Sequence, residues 1–242
     1  MIKLENVTAG YDEHIVLRDV SLDIKDGEIF SVVGRSGSGK STLLKCVIGF
    51  IKPKEGHIFI DGQDIVRLSE RQLNRVRRKM GMVFQKAALL DFLDVYQNVA
   101  FGLRYNSRLK DKEIRARVEE VLKSVEMEGT EHLMPSELSG GMQKRVGLAR
   151  ALAENPRIIL YDEPTTGLDP VITENINALI VKTRDKYGVT SVIISHDIRS
   201  VLRTSDRITG LFNGKLTAIG TPDEIMHTKD PNLLKFLETI HV

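Results

Sequence analysis

The 242-residue chain is 41% hydrophobic and 28% charged, with a net charge of +2 at neutral pH; this is the composition of a globular protein with room for a sizeable core, and it gives no nucleic-acid signal. Its one cysteine, Cys46, cannot form an internal disulfide and falls on the apolar side of a helical pattern, so it is expected in the core. No run approaches the ~18–20 apolar residues of a membrane span, and Met1-Ile2-Lys3-Leu4-Glu5 lacks a signal-peptide core, which predicts a cytosolic chain whose work at a membrane is done through a partner.

The first third reads as short β-rich runs at residues 2–7, 21–24, 29–33 and 57–60, punctuated at Ala9-Gly10, Asp26-Gly27 and Asp61-Gly62. Only the run at 29–33 leads directly into a glycine-rich loop and then a helical pattern, with Leu43, Leu44, Val47 and Ile48 on one face and Gly49 as the stop. The basic run 71–79 is expected to be a solvated helix face, and Gly81-Met82-Val83-Phe84 to be a strand. From about residue 88 to 153 three-to-four-residue apolar spacing replaces the β-rich runs, predicting helices at 95–104, 111–125 and 139–153. Strand character returns at 157–161, 191–195 and 207–212, alternating with helical stretches as in a parallel α/β sheet, and Asn213-Gly214 marks a hairpin. Without repeats or long linkers, residues 1–242 read as one domain: a core from 1–87 and 156–242, and a helical insert at 88–155.

The glycine loop, Gly34-Arg35-Ser36-Gly37-Ser38-Gly39-Lys40-Ser41 followed by Thr42, fits G-x-x-x-x-G-K-[ST]. In that pattern glycines let backbone N–H groups close on phosphate, lysine reaches the outer phosphates, and the Ser/Thr hydroxyl binds Mg²⁺. The apolar run 157–161 ends in Asp162 and Glu163. Beside a phosphate loop these suit Mg²⁺ binding by Asp162 and activation of a water by Glu163; the plainer alternative is a pair of helix-capping carboxylates. The run 191–195 ends at His196, a candidate γ-phosphate sensor or a simple core-edge histidine. Gln85 could hydrogen-bond both the attacking water and the Mg²⁺ shell, and Tyr11 could stack on a base or serve as an ordinary turn tyrosine. A second glycine segment, Leu138-Ser139-Gly140-Gly141-Met142, offers another anion site, with Ser139 capping a helix. A complete cradle in the same chain needs no second one, so this segment suits a nucleotide shared with a second copy placed head to tail.

Lys40 with its loop, Gln85, the 138–142 segment, Asp162-Glu163, Gly167-Leu168-Asp169 and His196 stand in an order that resembles the ABC-type ATPases over nearly the whole chain. The resemblance implies a RecA-like P-loop core with an antiparallel β subdomain and a helical subdomain, closure of an ATP-dependent dimer, and Asp169 reading the opposite active site. It also implies that Tyr11 is an adenine platform and that ATP and Mg²⁺ are the ligands.

Met142 stands where most members carry glutamine. Together with Phe84-Gln85-Lys86-Ala87-Ala88-Leu89-Leu90, Val95-Tyr96-Gln97-Asn98-Val99-Ala100-Phe101 and the tail Leu233-Leu234-Lys235-Phe236-Leu237-Glu238, it makes the chain similar to the ATPases of Mla/Mce-type phospholipid transporters. That likeness implies a permease partner, a Mce-type lipid carrier and a position on the cytoplasmic face of the inner membrane, with the apolar segment 86–95 as the permease docking groove. Importers of small polar solutes such as amino acids share many of these features and stand as the alternative. A DNA-repair ATPase would need a coiled coil between the two glycine segments, and a tandem-cassette translation factor a second phosphate loop; neither is present.

Overall fold

The computed structural model describes residues 1–238. Strands β1 (Ile2–Tyr11) and β2 (His14–Ile24) pair as a long antiparallel hairpin. Strand β3 (Ile29–Val33), buried throughout, feeds the glycine loop and helix α1 (Lys40–Val47). There follow β4 (Glu55–Ile60), β5 (Gln63–Asp64), α2 (Glu70–Arg77) and β6 (Met80–Val83). Three helices come next: α3 (Val95–Asn106), α4 (Asp111–Ser124) and α5 (Gly140–Ala153). The chain then alternates through β7 (Ile158–Asp162), α6 (Pro170–Tyr187), β8 (Thr190–Ser195), α7 (Ile198–Thr204) and β9 (Arg207–Phe212). It ends, within the described residues, in β10 (Lys215–Gly220), α8 (Pro222–Met226) and α9 (Pro231–Leu237).

Two sheets result. A four-stranded antiparallel sheet has the order β2-β1-β4-β5, and a six-stranded sheet has the order β10-β9-β3-β8-β7-β6, parallel except for its antiparallel edge β10. The central strands are continuous apolar runs because both faces are covered. Successive residues of β7 show this: Ile158 and Leu160 pack into the core shared with β1, β4 and α1, whereas Ile159 and Tyr161 pack toward α3, α4 and α5. Register aligns the strand ends, pairing Val33 with Ser195, Ile194 with Asp162, and Tyr161 with Val83. The segments that follow β3, β6, β7 and β8 therefore leave the sheet at one carboxyl edge, where open α/β sheets bind ligands.

The hairpin is longer than the predicted runs at 2–7 and 21–24. Its pairing shifts register three times, and Asn6 and Asp19 take left-handed φ values of 50° and 53°, which breaks the period-two pattern that signals a strand. Ala9-Gly10 is not the reversal: Gly10 lies in the ladder, where a Cβ would meet His14 O at 2.0 Å, and the turn comes at Asp12-Glu13. The basic run is helical in α2 but not wholly solvated, because Arg77 donates to the carbonyls of Ile48 and Gly49 and closes the end of α1. Cys46 is fully buried, and the Asn213-Gly214 hairpin joins β9 to β10 with both residues at positive φ, as expected.

Candidate active site

The loop after β3 is shaped by glycine. Gly37 and Gly39 have φ values of 78° and 106°, and a Cβ on Gly34 would lie 2.5 Å from Leu211 O and 2.8 Å from Ser38 Oγ. Gly39 is also the N-cap of α1, and no side chain caps the first turn. Its N–H groups thus face the loop as an anion-binding end. Lys40 is 5% exposed, and its Nζ donates to Gly34 O at 2.8 Å and Arg35 O at 3.1 Å.

Across the loop stand the carboxylates that end β7. Ser41 Oγ donates to Asp162 Oδ1 at 3.4 Å. Burial raises the Asp162 pKa, the neighbouring Glu163 charge raises it further, and Ser41 with Lys45 and Lys40 oppose the shift. A hydroxyl and a carboxylate are hard oxygen donors suited to Mg²⁺, which takes few protein ligands and completes its shell with phosphate and water. Accordingly, the described residues hold no group of three or more His, Cys, Asp or Glu that could hold a metal ion.

Glu163 takes φ 52°, a left-handed conformation that is costly for a side chain of this size. Its N–H donates to Ile194 O at 3.0 Å, tying the turn to β8. One carboxylate oxygen, Oε2, accepts from His196 Nδ1 at 2.6 Å, Thr166 Oγ1 at 3.1 Å and His196 N at 3.3 Å. The other, Oε1, lies 3.5 Å from Lys40 Nζ. The structure therefore joins the phosphate-loop lysine, the carboxylate and the histidine in one chain of contacts.

A cleft of about 700 Å³ opens beside this chain, lined by Arg35 to Gly37 and Gly39 to Thr42 of the loop together with Gln85, Glu163, His196 and Tyr11. Tyr11 sits at the mouth, 46% exposed, with Lys45 Nζ 3.3 Å from its hydroxyl. It ends a strand rather than occupying a turn. His14 and Val16 also line the cleft and were not singled out from the sequence, where an apolar or surface position carries no chemical signature; Phe236, named there only as part of the tail, lines it too. Lys144 was missed as well. It is 6% exposed on α5, and its ammonium donates to Gln85 O and, at 3.3 Å, to Glu163 O; burial lowers its pKa. The signal was a lysine on the inward side of an otherwise apolar helix face.

Ser139 caps α5 as expected, its Oγ accepting from Met142 N at 3.3 Å. Ser139, Gly140, Gly141 and Asp169 do not line the cleft. Gly141 lies against Ile172, where a Cβ would come within 2.7 Å, and Asp169 Oδ1 caps α6 by accepting from Val171 N and Ile172 N at 3.0 Å each. The second glycine segment and Asp169 thus form a neighbouring group, apart from the cleft of the same chain.

Comparisons with known proteins agree with this arrangement. A family profile described as "ABC transporter" matches residues 17–166. The intermembrane phospholipid transport ATP-binding protein MlaF of Haemophilus influenzae is 40% identical over 98% of this chain and 90% of its own length. The methionine import protein MetN of Carboxydothermus hydrogenoformans is 42% identical over 92% of this chain and 66% of its own length. The glycine betaine/proline betaine protein ProV of Escherichia coli is 44% identical over 87% and 53%. Among solved structures, the dimeric ATP-binding cassette MJ0796 bound to ADP and Pi superposes with a TM-score of 0.84 at 40% identity, covering 92% of this chain and 99% of that one. CbiO1 from Clostridium perfringens gives 0.88 at 32% identity, covering 98% and 94%. The P-loop α/β fold, the cradle and its carboxylates, and these likenesses lead to one conclusion: the chain belongs to the ABC transporter family, as an ATP-binding and ATP-hydrolysing subunit.

Proposed function

We propose that two copies of the chain, placed head to tail, enclose two ATP molecules and drive a permease that moves phospholipid. The observation that carries the shared site is the separation just described: Lys40, Ser41, Glu163 and His196 converge on one cleft, while Ser139 to Gly141 present a capped helix start away from it. A partner's helix start then closes over the phosphates, and Asp169 beside it reads the opposite site. The dimeric state of the MJ0796 cassette with ADP and Pi supports this pairing. The helices from residue 88 to 155 act as the subdomain that carries the second glycine segment, on a core from 1–87 and 156–242.

In the cleft, the loop N–H groups from Gly34 to Thr42 and Lys40 bind the phosphates, and Tyr11 stacks on the adenine. Ser41, Asp162 and Gln85 would hold Mg²⁺, which supplies charge neutralisation on the phosphates when bound. Glu163 accepts a proton from the attacking water, and Oε2 is kept in place by Thr166 and His196. His196 also contacts the γ-phosphate. Replacing Glu163 by Gln is expected to lower ATP turnover by about 10²- to 10⁴-fold while ATP still binds; unaltered turnover would remove Glu163 from this role.

Likeness to MlaF across 98% of the chain supports the phospholipid cargo, a Mce-type lipid carrier as a further partner and a peripheral position on the inner membrane. Among the described residues no helix is long and apolar enough to cross a membrane, and in this reading the permease holds the chain there. The exposed aromatics Phe84, Phe92 and Phe101 on and near segment 86–95 supply apolar anchors for it. Import of a small polar solute is the second reading, favoured by the likeness to MetN and ProV at 42% and 44% identity. Purifying the chain with the permease encoded beside it and extracting bound small molecules separates the two: phospholipid supports the first, and an amino acid or betaine the second.

A further inference from the structure

Helix α5 reaches the segment after β6 through one face. Lys144, Gly147 and Arg150, spaced three residues apart, all point to residues 85–88. Lys144 donates to Gln85 O. Gly147 stands 3.5 Å from Ala87 Cβ, measured from an ideal Cβ position. Arg150 donates to Ala87 O at 2.7 Å and Ala88 O at 2.6 Å. Ala87 and Ala88 have φ values of 55° and 50°, a left-handed pair that alanine does not favour, so contacts from outside the segment hold its shape.

Lys144 differs from Arg150 in reaching a second segment. The same ammonium that holds Gln85 O also donates to Glu163 O at 3.3 Å. Among the described residues no carboxylate lies within ion-pair distance of it; its charge is met by two backbone carbonyls and by the longer-range attraction of Asp162 and Glu163, which does not offset the burial that lowers its pKa. Burying a cation for two such bonds is costly, and an apolar side chain of the same length would pack there with less penalty. The two carbonyls belong to the residues assigned to water activation and the Mg²⁺ shell.

We propose that Lys144 is a positioning residue that ties helix α5 to Gln85 and Glu163 of its own chain. The start of α5 is the part that faces the partner's nucleotide, so a shift of the helix on closure is delivered through Lys144 to the backbone of both residues. Each copy thereby aligns its own water-activating group when its second glycine segment engages the other copy's ATP. The inference rests on the shared-site reading and on the role of Glu163.

The test compares Lys144→Met, which keeps length and loses the donors, with Lys144→Gln, which keeps an N–H donor. ATP turnover, nucleotide affinity and thermal midpoint are measured on the full chain. For Lys144→Met, kcat is expected to fall about tenfold or more, as for a lost charge-assisted hydrogen bond, with ATP affinity within about threefold of the parent. The thermal midpoint is expected to stay within a few degrees, and Lys144→Gln to lie between the two in kcat. A kcat within twofold of the parent, or kcat and affinity falling together with the thermal midpoint, would overturn the proposal. If Lys144→Met does not fold, the same split between kcat and affinity in Lys144→Gln decides the matter. Glu163→Gln runs alongside: its turning over ATP at the parent rate would sink the underlying role of Glu163, whereas an inactive Glu163→Gln with an unaffected Lys144→Met sinks only the positioning role.

Discussion

Glu163 works from a backbone position that few residues of its size accept, and the surrounding contacts explain how it persists. Its N–H is taken up by β8, and Oε2 is shared by Thr166 and His196. Removing the imidazole by His196→Ala is expected to leave ATP affinity nearly unchanged and to lower turnover about 10²-fold, read by steady-state kinetics. Gly34 is governed by space instead. A Cβ there would strike the Leu211 carbonyl, so Gly34→Ala is expected to displace the loop and abolish nucleotide binding, measured by calorimetry. Cys46, fully buried, has its thiol pKa pushed up to about 12 by burial. The folded protein should therefore resist alkylation at pH 8 and react once unfolded. Since the folded pKa lies above the unfolded value of about 8.5, this group's contribution to stability is complete below that value and is lost as pH rises toward 12. Asp162, Glu163, Lys40 and His196 were legible in the sequence because each stands at a strand end or loop with a chemical reason to be there. Lys144 and Thr166 were not: the carbonyls that Lys144 reaches lie 59 and 19 residues away along the chain, and Thr166 meets Glu163, three residues before it, through a turn that the sequence pattern does not mark.

Between β6 and α3 the chain has little regular structure, yet one side chain organises it. Asn98 is fully buried; its Nδ2 donates to the carbonyls of Leu90, Leu93 and Asp94, and its Oδ1 accepts from Leu90 N at 2.8 Å. Truncating it leaves several buried backbone groups unpaired, so Asn98→Ala is expected to cost about 2–4 kcal/mol in urea unfolding. A change of less than about 0.5 kcal/mol would show that water takes over those bonds. Helices α3 and α4 were predictable from apolar spacing because each buries one stripe against the same core, whereas α5 is buried on most sides and was marked by its run of small and apolar residues. The hairpin β1–β2 was only half legible, since bulges at Asn6 and Asp19 interrupt alternation although backbone pairing continues. Short α7, α8 and α9 depend on caps, with Asp197, Thr221 and Asp230 each accepting backbone N–H groups, and caps of this kind are common in turns as well.

At the scale of the whole molecule, the parallel sheet brings four segments to one edge, and the helices from α3 to α5 carry the second glycine segment away from it. On the proposed reading, one copy carries both halves of a nucleotide enclosure and a second copy completes it. The most direct test is the association state of Glu163→Gln with and without ATP, followed by light scattering, because slowed hydrolysis traps the closed form. The account predicts a dimer at saturating ATP and a monomer without nucleotide; a monomer under both conditions, with ATP bound, would contradict it.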